Sequence, residues 1–151
     1  MRKRSKYRPR QVYDPLNFVL EGMRPVRNHP AFTNLLIRNH AAATALAQGK
    51  ATRDDLDDLI GMNNIAHALI GQGFGTEHAE VAEQGKAALL CIARRGLSLG
   101  RFVPTGPELT AVNALIELHD AQLDVITVRD MEKAIETVFR TIRNKKATVI
   151  A

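Results

Sequence analysis

Cysteine and aromatic residues are scarce in this chain of 151 residues. Its one cysteine, Cys91, cannot form a disulfide within the chain, and its position in the apolar run AALLCIA predicts a small buried side chain. Tryptophan is missing and aromatic residues make up 5% of the sequence. The core must therefore be built from Leu, Ile, Val and Ala, and small alanine side chains favour closely packed helices.

Long apolar runs and catalytic motifs are also missing. No window approaches the roughly 18 apolar residues of a transmembrane helix, and no apolar stretch follows the basic N-terminus as a signal peptide requires. These absences predict a cytoplasmic protein without a membrane partner. The five histidines are scattered, and none forms an HExxH pair or a set with cysteines. We therefore expect a non-enzymatic protein with no cofactor.

Three short patterns resemble sites, and each has a structural explanation. GQGFG at 71–75 follows a predicted helix rather than a strand, and it lacks the GK[ST] ending of a phosphate loop. The four aspartates within 54–58 lack the spacing of an EF-hand, and a helix N-terminus, whose dipole favours carboxylates, explains them. His119 lies beside Glu117 and Asp120, but neighbouring residues on a helix point in different directions. We interpret His119 as a core histidine.

Apolar residues recur every three or four positions in six segments, which is the spacing of a helix with one buried face. We therefore predict an all-α fold, a single-domain bundle of about six helices over residues 14–151, preceded by a flexible, disordered basic arm over residues 1–13. The third, fifth and sixth helices each begin with a threonine followed three residues later by an acid, the pattern of a capping box. These threonines are Thr52, Thr105 and Thr127.

The fourth helix is predicted to begin at a Thr76 cap and to run to about Arg95, followed by an irregular connection over 96–106. Seven consecutive residues in it, 87–93, are apolar or cysteine. A helix that is apolar on nearly all sides is buried on nearly all sides, so we expect this helix to be the central one. Gly85 indicates a close helix crossing, because glycine costs about 1 kcal/mol in a helix interior.

The net charge of +5 is concentrated at the N-terminus. Residues 1–10 hold six of the 21 basic residues, and the rest of the chain has 15 basic and 16 acidic residues. Lys and Arg neutralise phosphates and release counterions, and Tyr7 could stack on an unpaired base. The predicted nucleic-acid contacts of the arm are Arg2, Lys3, Arg4, Lys6, Tyr7, Arg8 and Arg10. The alternatives are a solubilising tail, an acidic protein partner, or an acidic face of the protein's own oligomer.

A second basic group near the end of the fourth helix extends the predicted interface. It consists of Lys86, Arg94, Arg95 and Arg101. If these residues lie on the same side as the arm, they continue a path for phosphates. Cations near a helix C-terminus also interact favourably with the helix dipole, which explains them without a ligand. The end of the sixth helix, RTIRNKK, has the same two explanations.

Three segments carry a resemblance to known proteins: KYRPR near the N-terminus, ATRDDLDDLI in the centre and LHDAQLDVITVRDMEKAI near the C-terminus. With these segments, most of the chain resembles small proteins encoded by bacteriophages and prophages of Proteobacteria. The resemblance implies the cytoplasm of a bacterial host as the setting, and it implies no assigned activity. Small non-enzymatic phage proteins often bind nucleic acid or block a host component.

These observations predict a phage-type accessory protein that binds DNA or RNA through the phosphate backbone, with low sequence specificity. The alternative is a protein-interaction module that inhibits or modulates a host bacterial protein or defence system. The alanine-rich, nearly neutral body is also typical of self-association, so we expect a homodimer or a higher oligomer.

Overall fold

The structure, a computed structural model, describes residues 14–144. In this range it contains six α-helices and no β-strand, which confirms the predicted all-α, single-domain bundle. The helices are α1 Pro15–Gly22, α2 Pro30–Ala47, α3 Arg53–Gly71, α4 Ala79–Leu99, α5 Gly106–Val125 and α6 Val128–Arg143. The predicted arm over 1–13 lies outside the described residues, as do residues 145–151.

Capping boxes start three of the helices, as predicted. The Thr52 hydroxyl accepts a hydrogen bond from the Asp55 backbone N–H (3.3 Å), and the Asp55 carboxylate accepts one from the Thr52 backbone N–H (2.8 Å). Thr105 and Thr127 make the same exchange with the acid three residues later. Each box satisfies two backbone donors at a helix start without any tertiary contact.

The fourth helix differs from its prediction at both ends. Thr76 does not cap it, because Thr76–His78 forms a separate 3₁₀ turn and α4 begins after it. At the other end α4 continues past Arg95 for one more turn. Gly100, with a left-handed φ of 73°, ends the helix. The irregular connection is therefore shorter than predicted and covers residues 100–105.

The central helix is α3 rather than α4. Its main packing partners are α2, α4, α5 and α6, whereas α4 packs mainly against α3 and α5. The predicted burial of the apolar run 87–93 is also wrong in part, because Ala87 and Cys91, one turn apart, are exposed. Small apolar side chains lose little when they face solvent, so an apolar run does not require burial on every side.

Gly85 marks a close crossing of α4 and α5, as predicted. A Cβ at this position would lie 2.7 Å from the Leu115 Cβ and 2.8 Å from its Cδ2. Both residues are buried in the core between the two helices. The missing side chain of Gly85 is therefore what allows Leu115 to pack there.

The connections between the helices lie at two opposite ends of the bundle. At the end that we name the proximal end, the Val26 N–H donates to the Ile126 carbonyl (3.3 Å) and the Val128 N–H to the Arg24 carbonyl (2.8 Å). At the other, distal end, α2 and α4 terminate and α3 and α5 begin, and Ala51 pairs with the chain after α4. The 20 residues of α5 separate the ends by roughly 30 Å.

Candidate nucleic-acid interface

Seven of the predicted contact residues belong to the N-terminal arm and lie outside the described residues. They are Arg2, Lys3, Arg4, Lys6, Tyr7, Arg8 and Arg10. The described chain begins at Asp14, whose carboxylate caps α1 by accepting from the backbone N–H groups of Leu16 and Asn17 (3.1 and 3.3 Å). α1 then leads to the proximal end of the bundle.

The second basic group is spread along α4 and beyond it. Arg94, Arg95 and Arg101 lie in the last turns of α4 or just after it, towards the distal end. Lys86 is eight residues before Arg94, or roughly 12 Å along the helix axis. The structure therefore brings three of these residues towards one end, opposite the end to which α1 leads, and places Lys86 apart from them.

Arg95 is bound to other residues of the protein. Its Nη1 lies 3.0 Å from Glu108 Oε1, its Nη2 also contacts Oε2, and Nη2 donates to the Val103 carbonyl (2.9 Å). The hydrogen bonds from the Arg95 guanidinium are the main cause that lowers the pKa of Glu108 to about 2. Glu108 also accepts from the Thr105 N–H. Arg95 thus joins the end of α4 to the start of α5, and these contacts occupy its guanidinium.

Sequence reasoning missed two cations that the fold places near Arg101. Ala51 and Phe102 form an isolated antiparallel bridge between the α2–α3 and α4–α5 connections. The residues beside this bridge include Lys50 and Arg101, and Arg53 follows two positions after Ala51. No local pattern indicates this pairing, since it joins two connections that are far apart in the chain.

Four other cations of the described chain contact an acid. The pairs within 4 Å are Arg24–Glu21, Arg27–Asp124, Arg38–Asp58 and Arg140–Glu136. Arg129 instead lies over the Phe18 ring, 4.5 Å from its centroid. Its guanidinium also occupies the space beside Gly22, where a Cβ would approach it to 2.9 Å. These contacts hold α1 against α6.

His119 is buried, as predicted, and has a structural role. It belongs to a set of buried polar residues on α2, α3 and α5: Asn39, Asn63, His119 and Gln122. The His119 Nδ1–H donates to Gln122 Oε1 (3.2 Å), and Gln122 Nε2 donates to the Ala66 and Phe74 carbonyls (3.1 and 3.0 Å). Burial lowers the pKa of His119, against the opposing effect of its bond to Gln122. A neutral His119 therefore orients Gln122, which holds the GQGFG connection.

An open cleft of about 450 Å³ lies between α2 and α5. At its wall, His40 Nε2 lies 3.0 Å from Asp120 Oδ1. Asp120 thus bonds to His40, while His119 bonds to Gln122, so the acid–base cluster that Asp120 and His119 suggest on paper does not converge. Within 14–144 no side-chain hydroxyl or thiol bonds to the His40 imidazole or the Asp120 carboxylate, as the geometry of an activated nucleophile requires.

The aspartates at the start of α3 are engaged within the bundle or exposed. Asp55 completes the capping box, and Asp58 Oδ2 accepts a hydrogen bond from Arg38 Nε (3.2 Å). Asp54 and Asp57 are exposed. In the described range, no three His, Cys, Asp or Glu side chains are grouped closely enough to hold a metal ion.

Comparison with known proteins adds no information about this interface. No family model, no curated protein and no solved structure matches the chain. Among residues 14–144, no helix has the length and apolar character needed to cross a membrane.

Proposed function

We propose that this protein binds nucleic acid through the phosphate backbone, by means of its basic N-terminal segment, and has no enzymatic activity of its own. The charge distribution carries the proposal. All 16 acidic residues lie within 14–144, together with 13 basic residues, while residues 1–13 hold six basic residues and no acid. A segment that contains positive charge and no carboxylate of its own suits phosphates, and such contacts give little sequence specificity.

The test is neutralisation of the arm in the full-length chain. A variant with Gln at Arg2, Lys3, Arg4, Lys6, Arg8 and Arg10 keeps the chain length and removes the six charges. If all six contact phosphate, the slope of log affinity against log salt falls by roughly 4 to 5 units. Fluorescence anisotropy with labelled single- and double-stranded DNA and RNA measures this slope. A wild-type chain that binds none of them at low salt would overturn the proposal.

Tyr7 provides a separate check on single strands. Tyr7→Ala should weaken single-stranded binding by about 1–3 kcal/mol if the ring stacks on a base, and Tyr7→Phe should retain it. Duplex affinity should be the same for both variants, because paired bases are not available for stacking.

Protein interaction is the second candidate, and exposed apolar side chains favour it. On α1, Leu16 and Leu20 are 67% and 52% exposed, and Met23, just after the helix, is 66% exposed; at the end of α6, Phe139 and Ile142 are 59% and 52% exposed. Large apolar side chains exposed on a surface suit contact with another protein. The partner would be a second copy of the chain or a protein of a bacterial host, in whose cytoplasm the phage-type resemblance would place this protein.

A further inference from the structure

Two connections of the chain meet at the distal end of the bundle and bring basic residues together. Ala51, between α2 and α3, bridges Phe102, between α4 and α5. In an antiparallel pair the flanking residues run in opposite directions, so Arg101 lies beside Thr52 and Lys50 beside Val103. Arg53 follows Thr52 as the first residue of α3.

The backbone of this region is held in place by packing. The Phe102 ring fills the space beside Gly96, where a Cβ would lie 2.0 Å from Phe102 Cδ1, and both Phe102 and Ala51 pack against the core. On the other connection, Gly49 has a left-handed φ of 68° and the Lys50 N–H donates to the Ala45 carbonyl (2.9 Å). The basic side chains therefore project from a fixed surface.

Arg94 lies at the edge of the same surface. Its neighbour Ala93, together with Leu97, Phe102 and Arg53, lines a small hollow of about 60 Å³ between α3 and α4. Arg94 is exposed and follows Ala93 on α4, so its backbone belongs to the turn of α4 that borders this hollow. Four cations thus surround the junction of the two connections: Lys50, Arg53, Arg94 and Arg101, which we name the distal patch.

The charges of the distal patch are free for a ligand. All four side chains are exposed, and none lies within 4 Å of a carboxylate of the described residues. Arg95 lies between Arg94 and Arg101 in the sequence but differs from them, because the Glu108 carboxylate neutralises its charge. Asp54 and Asp57 are the exposed carboxylates on the adjoining turns of α3, so the patch keeps an excess of positive charge.

We propose that the distal patch is a second phosphate-binding site for nucleic acid, about 30 Å from the end of the bundle to which α1 leads. This inference rests on the proposed function. A strand is a line of phosphates, so it can follow Lys50 and Arg101 on the two connections and pass beside Asp57, which lines the same hollow as Arg53. A planar anionic membrane would cover the whole patch, Asp54 and Asp57 included, so the arrangement favours a strand.

The test uses the full-length chain and labelled 25-nucleotide DNA, single- and double-stranded, over a range of salt. Lys50→Gln/Arg101→Gln should lower the slope of log affinity against log salt by roughly 1.4 units for single strands and 1.8 for duplex. The control, Lys133→Gln/Arg140→Gln on α6, removes the same charge elsewhere and should leave the slope unchanged. Asp57→Asn should raise the affinity, because it removes a repulsive charge from the patch.

Three results overturn the distal patch. The first is an unchanged slope for Lys50→Gln/Arg101→Gln, and the second is an equal loss for the α6 control, which would mean that net charge alone matters. The third is that Lys50→Gln/Arg101→Gln loses binding to phosphatidylserine-containing vesicles while its DNA binding stays intact, which would make the patch a membrane contact. In all three the wild type still binds DNA. Failure of the proposed function differs, because the wild type then binds no nucleic acid at low salt.

Discussion

At the scale of single residues, Arg95 and Arg101 have different roles although both are basic and close in sequence. The Arg95 guanidinium reaches Glu108 and the Val103 carbonyl, while the Arg101 side chain is exposed and free of carboxylates within 14–144. Charge-assisted hydrogen bonds with a partly buried partner stabilise the fold. We therefore expect Arg95 to contribute to stability and Arg101 to binding.

Arg95→Gln should lower the free energy of unfolding at pH 7 by more than the loss of a fully exposed ion pair does, because its partner Glu108 is partly buried, and it should leave the salt dependence of DNA binding unchanged. The pKa of Glu108 is lowered from 4.5 to about 2 in the folded state. The contribution of the ionised Glu108 to the free energy of unfolding is therefore complete above pH 4.5 and is lost as the pH falls towards 2. The stability difference between wild type and variant should shrink over this range in urea unfolding experiments.

The matched control for this prediction is Arg140→Gln. Arg140 pairs with Glu136 one helical turn away, and both side chains are about 60% exposed (59% and 63%). Exposed pairs of this kind contribute about 0.3–0.5 kcal/mol. A loss for Arg140→Gln as large as that for Arg95→Gln would show that the Arg95–Glu108 pair has no special role.

At the scale of helices, the α4–α5 crossing depends on one missing side chain. Gly85 faces Leu115, and a Cβ at 85 would be 2.7 Å from the Leu115 Cβ. Real side chains do not approach so closely, so α4 and α5 would have to separate. The crossing contributes to a hydrophobic core that includes Ile92, Val112 and Leu115.

Gly85→Ala should therefore lower the free energy of unfolding by about 1–3 kcal/mol, although alanine favours a helix. Gly61→Ala is the control, because Gly61 lies within α3 and no atom lies within 4 Å of its added Cβ. That substitution should stabilise the protein by about 0.5–1 kcal/mol. Thermal and urea unfolding of both variants measures the difference, and stabilisation by both would contradict the close crossing.

At the scale of the whole molecule, the distal patch and the exposed apolar side chains of α1 belong to different ends of the bundle. The distal end carries the four cations together with exposed Leu97 and Leu99, whereas α1 leads to the proximal end. A protein with this arrangement can bind phosphate at one end and associate with a protein at the other. The distal patch and α1 therefore do not compete for the same surface.

If α1 mediates self-association, light scattering should give twice the 16.7 kDa mass of the chain, and Leu16→Gln/Leu20→Gln should return it to the monomer mass. Burial of large apolar side chains is the expected driving force. Leu99→Gln is the control, since Leu99 is 64% exposed but lies at the end of α4. A wild-type monomer at high protein concentration would contradict self-association and leave α1 for a different protein partner.

The sequence by itself determined the helices and most of their starting points. Thr52, Thr105 and Thr127 cap their helices through bonds to residues three positions away, and interactions of that range can be recognised in the chain order. The periodic apolar residues indicated the helices but not every buried face, because Phe139 and Ile142 continue the apolar period of α6 and are nevertheless exposed. Gly85 could be recognised as a crossing because a glycine inside a helix has a local cost that requires a packing reason.

Only the tertiary structure decided which helix is central, which cations are free and which residues meet at the distal end. Cys91 is exposed because, among the described residues, no helix packs on the face of α4 that carries it, and no property of the run 87–93 indicates this. Arg95 meets Glu108, and Ala51 meets Phe102, only after helices have packed. Contacts between residues far apart in sequence depend on the relative placement of whole helices, which local patterns do not encode.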